Sequence, residues 1–196
     1  EKDGYEVRLA HSLETKAIAK ARVKTDKIDS KILAHLLRAD LVPESWVPPK
    51  EVRDLRSLVK HRAFLVRTRT KLKNGVHAEL DQRDIDLNIP LFTRRGRGLL
   101  RCLGIEAVDQ LLSVMEVLDR QIGEVSKKIR GSALEGENAM LLTIIPGVGC
   151  YNALLLVAEI DDVGRFPDSE KLCSYAGLVP SVSRSGKKAM YGSITK

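Results

Sequence analysis

The sequence has no apolar run long enough to cross a bilayer; the longest, such as Ala153 to Ile160, fall well short of the roughly 20 residues a spanning helix needs. No charged-then-apolar leader opens it either, so the expectation is a soluble cytoplasmic chain. Cysteine is scarce: Cys102, Cys150 and Cys173 are far apart and odd in number, with no CxxC and no His/Cys cluster at zinc spacing. That excludes a disulfide framework and a zinc site. His11, His35, His61 and His77 carry no spacing signature and all precede the serine-rich C-terminal segment, so no Ser-His-Asp arrangement can be argued. The chain also opens on Glu1 rather than methionine and stops at Lys196 directly after GSITK, which suggests a piece of a longer protein.

What is present is charge and helical periodicity. Lysine and arginine outnumber aspartate and glutamate by 33 to 26, a net charge of +7 with a pI near 9.4, which favours an anionic partner such as nucleic acid. The 196 residues suit two small domains joined by helices. Tyr5 to Ala10 alternate apolar and polar side chains behind Gly4, the period of a half-buried strand. From Ser12 to Asp40 the pattern is helical in two segments, with Ser12 as a cap for the first and Ile28, Ile32 and Leu36 at helical spacing in the second. Pro43, Pro48 and Pro49 then predict an extended connector over 41–50 and a boundary.

Residues 51–80 read as one long helix with a strongly basic polar face: nine Lys/Arg lie between Lys50 and Lys73 against Glu51 and Asp54 alone. Such a face is either solvated or tracks phosphates. In a second long helix Val108, Leu111, Met115, Leu118, Ile122, Val125 and Ile129 alternate steps of three and four, a coiled-coil seam. Its partner is the 51–80 helix in an antiparallel hairpin, or the same helix of another subunit; the period alone does not choose, and a plain core-facing helix has the same pattern. Gly131 to Gly136 should end it with flexible residues, and a compact helical domain should follow.

Three segments carry candidate chemistry. Pro146-Gly147-Val148-Gly149 joins two apolar helices as in a helix-hairpin-helix unit; Gly147 and Gly149 permit a tight turn, and the amides opening the next helix can bind phosphate. A plain helical corner is the structural alternative. Asp26 and Asp29 stand three apart on a helix and share a face, either as a divalent-metal pair or as a solvated, salt-bridged surface. Ser181, Ser183 and Ser185 sit in a segment with Arg184, Lys187 and Lys188, fit for binding phosphate and, with the charge neutralised, for nucleophilic attack on phosphorus.

Four segments in order carry a resemblance over nearly the whole chain: KTDKIDSKILAHLLRADLVPESWVPP, VRDLRSLVKHRAFLVRTRTKLKN, LLTIIPGVG with AEIDDVGRFPDSEKLCSYAGLVPS, and SRSGKK running to ITK. They resemble the bridge-RNA-guided insertion-sequence transposases, relatives of the Piv-type DNA invertases, which join a RuvC-like DEDD domain to a serine transposase domain. The resemblance implies a mostly α chain with a small α/β remnant: a partial RuvC-like (RNase H-like) domain over 1–50, a basic helix and coiled-coil arm over 51–136, and a helical serine transposase domain over 137–196. It implies that Asp26 and Asp29 are the last two acids of a four-carboxylate Mg²⁺ site, and that Ser185, ahead of Ser181 and Ser183, is the nucleophile. Gly147, Gly149, Arg62, Arg69, Lys73, Lys187 and Lys188 are then the candidate DNA contacts. It also implies a structured noncoding RNA that selects the DNA, and a homodimer or tetramer through the seam.

The family's first Asp and its Glu belong before the start of this chain, and its basic segment after ITK is missing. The expectation is therefore that this chain binds nucleic acid but does not recombine DNA by itself. The competing reading is a non-catalytic nucleic-acid-binding module with a coiled-coil dimerisation arm; a third is a metal-dependent junction nuclease with no serine step.

Overall fold

Where the prolines interrupt the helical pattern, the computed structural model divides into two units, Glu1–Lys50 and Glu51–Lys196. It describes residues 7–18, 25–185 and 188–194; the side chains of 17, 182–185 and 188–191 lie outside that description. None of the described helices is long and apolar enough to cross a membrane.

In the first unit, α1 (Ser12–Ile18) and α2 (Asp26–Arg38) form the two expected helical segments. Ser12 is the first residue of α1 rather than its cap; the Nδ1 of His11 accepts from the Glu14 amide at 3.4 Å. Thr25 caps α2, its hydroxyl accepting from the Ile28 amide at 3.3 Å, a contact worth about 1 kcal/mol. The expected strand over Tyr5 to Ala10 is reduced: Tyr5 lies outside the described residues, and of 7–10 only Ala10 bridges, to Glu44. The connector lies alongside it, with His11 N donating to Pro43 O at 2.7 Å and Ser45 N to Leu9 O at 2.7 Å. Two bonds from a proline-interrupted segment support a bridge, not a ladder.

The second unit is organised by two long helices, α3 (Lys50–Asp81) and α5 (Glu106–Glu135), with the short α4 (Arg94–Cys102) between them in the chain. One core cluster joins Val59 and Leu65 of α3 to Ile122, Val125 and Ile129 of α5. The other joins Val76 and Leu80 to Val108, Leu112 and Met115, together with Leu91 and Leu100. Early α3 thus meets late α5 and the reverse, an antiparallel pair within one chain. The heptad seam faces α3, and its apolar side chains are spent there.

α5 does not end at Gly131 as its glycines suggest; it runs to Glu135. Ala133 on that last stretch is buried in the core, and this packing outweighs the roughly 1 kcal/mol helical cost of glycine. α6 (Glu137–Thr143) and α7 (Cys150–Ile160) follow, and Ala139, Ala153 and Leu154 enter the same cluster as α3 and α5. No break in the core falls at 136–137.

The remainder departs from the all-helical expectation. After a 3₁₀ turn at Val163–Arg165 and α8 (Ser169–Tyr175), the chain forms an antiparallel hairpin of β1 (Pro180–Ser185) and β2 (Lys188–Ile194). Ser185 pairs with Lys188 and Arg184 with Ala189. A six-residue strand with polar alternate positions has little hydrophobic signature, so periodicity does not mark this one.

Candidate functional site

The Pro146-Gly147 pair builds a type II turn, with Val148 N donating to Ile145 O at 3.0 Å and Gly147 at φ +88, the position that demands glycine. Gly149 then precedes α7 with no side-chain cap on the helix, so its first amides keep their capacity for an anion. No heavy atom lies within 4 Å of where a Cβ would stand on Gly147 or Gly149, so the turn is open to close approach. Arg62 belongs to this place. Its guanidinium stacks 4.4 Å from the ring centroid of Tyr151 in the first turn of α7, while its Nε donates to Ser126 Oγ at 2.9 Å.

Other cations of α3 are also engaged with neighbouring groups. Arg56 donates to the carbonyls of Ala158 at 2.5 Å and Glu159 at 2.9 Å, and Lys60 reaches the Glu159 carboxylate at 3.2 Å. α7 has no basic residue in its own last turn, and these cations complement its C-terminal end. Arg69 pairs with Asp119 of α5 at 2.9 Å, and the Lys73 ammonium lies 4.8 Å over the Phe92 ring. Charge count along a helix does not say which cations point to solvent.

Asp119 holds two guanidiniums, Arg69 at 2.9 Å and Arg97 at 2.6 Å. Burial raises its pKa, but the hydrogen bonds and charges of Arg97 and Arg69 outweigh it, and the carboxyl lies below its ordinary 3.8. A lowered folded pKa gives stability that is complete above about pH 4 and is lost as pH falls through the folded value. Asp119→Asn should cost about 2 kcal/mol at neutral pH, since two partly buried cations lose their counter-charge. Denaturant unfolding of both proteins between about pH 7 and about pH 2 tests this; an acid loss of the same size in the variant would rule out the assignment.

Sequence reasoning missed α4. Phe92, Arg94, Arg97, Gly98, Arg101 and Glu116 line a cavity of about 400 Å³. The run RRGRGLLR was the available signal, but only the packing of α4 on α5 turns it into a wall.

Asp26 and Asp29 both lie in the first turn of α2, Asp26 exposed and Asp29 half-buried. Two hard oxygen donors on one helical face suit Mg²⁺, yet among the described residues no third His, Cys, Asp or Glu joins them. They fit as part of a metal site. Both belong to the first unit, whereas Ser185 ends β1 in the second. Lys187 lies outside the described residues, and of Ser185 and Lys188 the backbone pairing is what is described.

Comparison with known proteins matches both parts of the chain. Residues 1–83 match the model of IS110-type DEDD transposases, and residues 139–196 match the transposase IS116/IS110/IS902 family. Over 192 residues the chain is 28% identical to the transposase for insertion sequence element IS1111A of Coxiella burnetii, covering 88% of this chain and 50% of that protein. It is 23% identical over 205 residues to the transposase for IS1328 of Yersinia enterocolitica, covering 98% of this chain and 59% of that protein. The chain thus spans about half the length of the curated relatives it matches.

Proposed function

We propose that the chain is a member of the IS110/IS116/IS902 transposase family and that it serves DNA transposition, gripping nucleic-acid backbones and contributing to the site where strands are cut. The observation that carries the reading is the pair of transposase models matched at 1–83 and 139–196. The open, uncapped turn from Gly147 to Gly149 with Arg62 beside it supports a backbone grip of the helix-hairpin-helix kind. Such contacts hold phosphates without reading sequence, which suits selection of the DNA by a structured noncoding RNA.

In the proposed reaction the Ser185 hydroxyl attacks a DNA phosphodiester. Its oxygen bonds to phosphorus and its proton is released; the bond to the sugar oxygen breaks, and that oxygen takes up a proton. Arg184, Lys187 and Lys188 lie beside it in sequence and would oppose the phosphate charge. Asp26 and Asp29 would hold Mg²⁺, which when bound neutralises charge on the phosphodiester. Arg69 and Lys73 belong to the proposed contact surface through the α4 side of the unit, where their partners Asp119 and Phe92 lie. Assembly as a homodimer or tetramer, part of the same proposal, would need a face other than the seam, which α3 covers.

Electrophoretic mobility shift of the purified chain with duplex DNA and structured RNA over a salt series tests the grip. Affinity should fall steeply, by about a hundredfold or more between about 50 and 200 mM salt if five or six phosphates are contacted. Absence of binding to either at low salt would overturn it.

A further inference from the structure

We propose that the α4 cavity seats one nucleotide of a single-stranded nucleic acid, its phosphate between Arg94 and Arg101 and its base against Phe92. This deepens the nucleic-acid reading above and rests on it. The cavity, about 400 Å³, is within the size range of small-ligand sites. Its wall is cationic: Arg97 and Arg101 are partnered by Asp119 at 2.6 Å and Glu116 at 2.5 Å, but Arg94 has no ion-pair partner among the described residues. Arg97 also keeps a buried Nε with no acceptor, a donor whose satisfaction would favour an incoming oxygen anion.

Shape and apolar surface narrow the ligand. Gly98 contributes no side chain to the cavity, and no atom stands within 4 Å of where its Cβ would be, so a ligand can approach the backbone of α4. Phe92 supplies an aromatic wall, held edge-on by His77 at 5.5 Å between ring centroids. Cations around a half-buried ring such as Phe92, which the Lys73 ammonium also overlies at 4.8 Å, form the stacking platform and electrostatic funnel that unpaired bases use. A base inside a duplex is stacked on both faces and cannot enter a recess of this kind.

Fluorescence anisotropy on the chain tests this with labelled single-stranded DNA of about eight nucleotides, an abasic strand of equal length, and a duplex. Arg94→Ala should weaken single-strand binding about tenfold and duplex binding less than about twofold, and the abasic strand should bind about tenfold more weakly than the normal one. Glu116→Gln removes the competing carboxylate and should tighten single-strand binding about threefold, a gain that misfolding does not produce. Unchanged single-strand affinity in both variants, with salt-sensitive duplex binding intact, would overturn the cavity assignment and leave the broader reading standing. No binding to any of the three would overturn both.

Discussion

On the proposed serine mechanism, strand transfer should fall at least about a thousandfold when Ser185 is replaced by alanine in the whole protein, because a covalent step has no substitute for its nucleophile. Ser185 is the last residue of β1, paired with Lys188 across the hairpin end. The chain thereby brings a hydroxyl-bearing residue to the end of β1, flanked by Arg184, Lys187 and Lys188 in sequence. Trapping the covalent protein–DNA adduct on a denaturing gel reads the chemistry directly. The Ser185→Ala protein should give no adduct while retaining salt-sensitive DNA binding, and Ser181→Ala and Ser183→Ala should still form it. Full recombination by the Ser185→Ala protein would sink the serine step and favour the binding module. Loss of strand cutting without any adduct from the unaltered protein would instead favour metal-assisted hydrolysis, which leaves no covalent link.

The second large effect is on stability. At Gly96 in α4 a Cβ would stand 2.4 Å from both the Pro90 and Leu91 carbonyl oxygens and 2.6 Å from the Leu91 carbonyl carbon. These are backbone atoms, and Leu91 and Leu100 on either side are buried in the α3–α5 core, so relief requires the loop and helix to separate. Gly96→Ala should therefore cost about 3 kcal/mol, at the upper end for overpacking. For a domain of this size that lowers the thermal midpoint by about 6–12 °C. Gly98, two residues on, is a helical glycine with open space where its Cβ would be, and Gly98→Ala should instead stabilise by about 0.5–1 kcal/mol. Thermal unfolding of the two variants separates steric exclusion from helix propensity, and a neutral Gly96→Ala would mean that α4 does not pack as described.

By itself the sequence determined whatever depends on neighbours a few residues apart. The i, i+3, i+4 pattern placed α3 almost to its observed bounds, Lys50–Asp81, and marked the face of α5 that is buried. The prolines at 43, 48 and 49 interrupt the helical pattern just before α3 begins, and Pro146-Gly147 required the turn that forms. Asp26 and Asp29 share a turn of α2 for the same local reason.

Tertiary structure alone decided where charges and long-range partners go. Arg56 meets carbonyls 102 and 103 positions away, and Arg69 meets Asp119 across 50 positions. No helical period encodes either distance. The seam fits α3 and a second copy equally well by pattern, and only the packed chain selects α3. Gly131 stays helical because Ala133 is buried nearby, and the C-terminal strands form by pairing with each other. Periodicity is a property of one element. The identity of its partner is settled by which surfaces exclude water together, and that requires the whole chain to be folded.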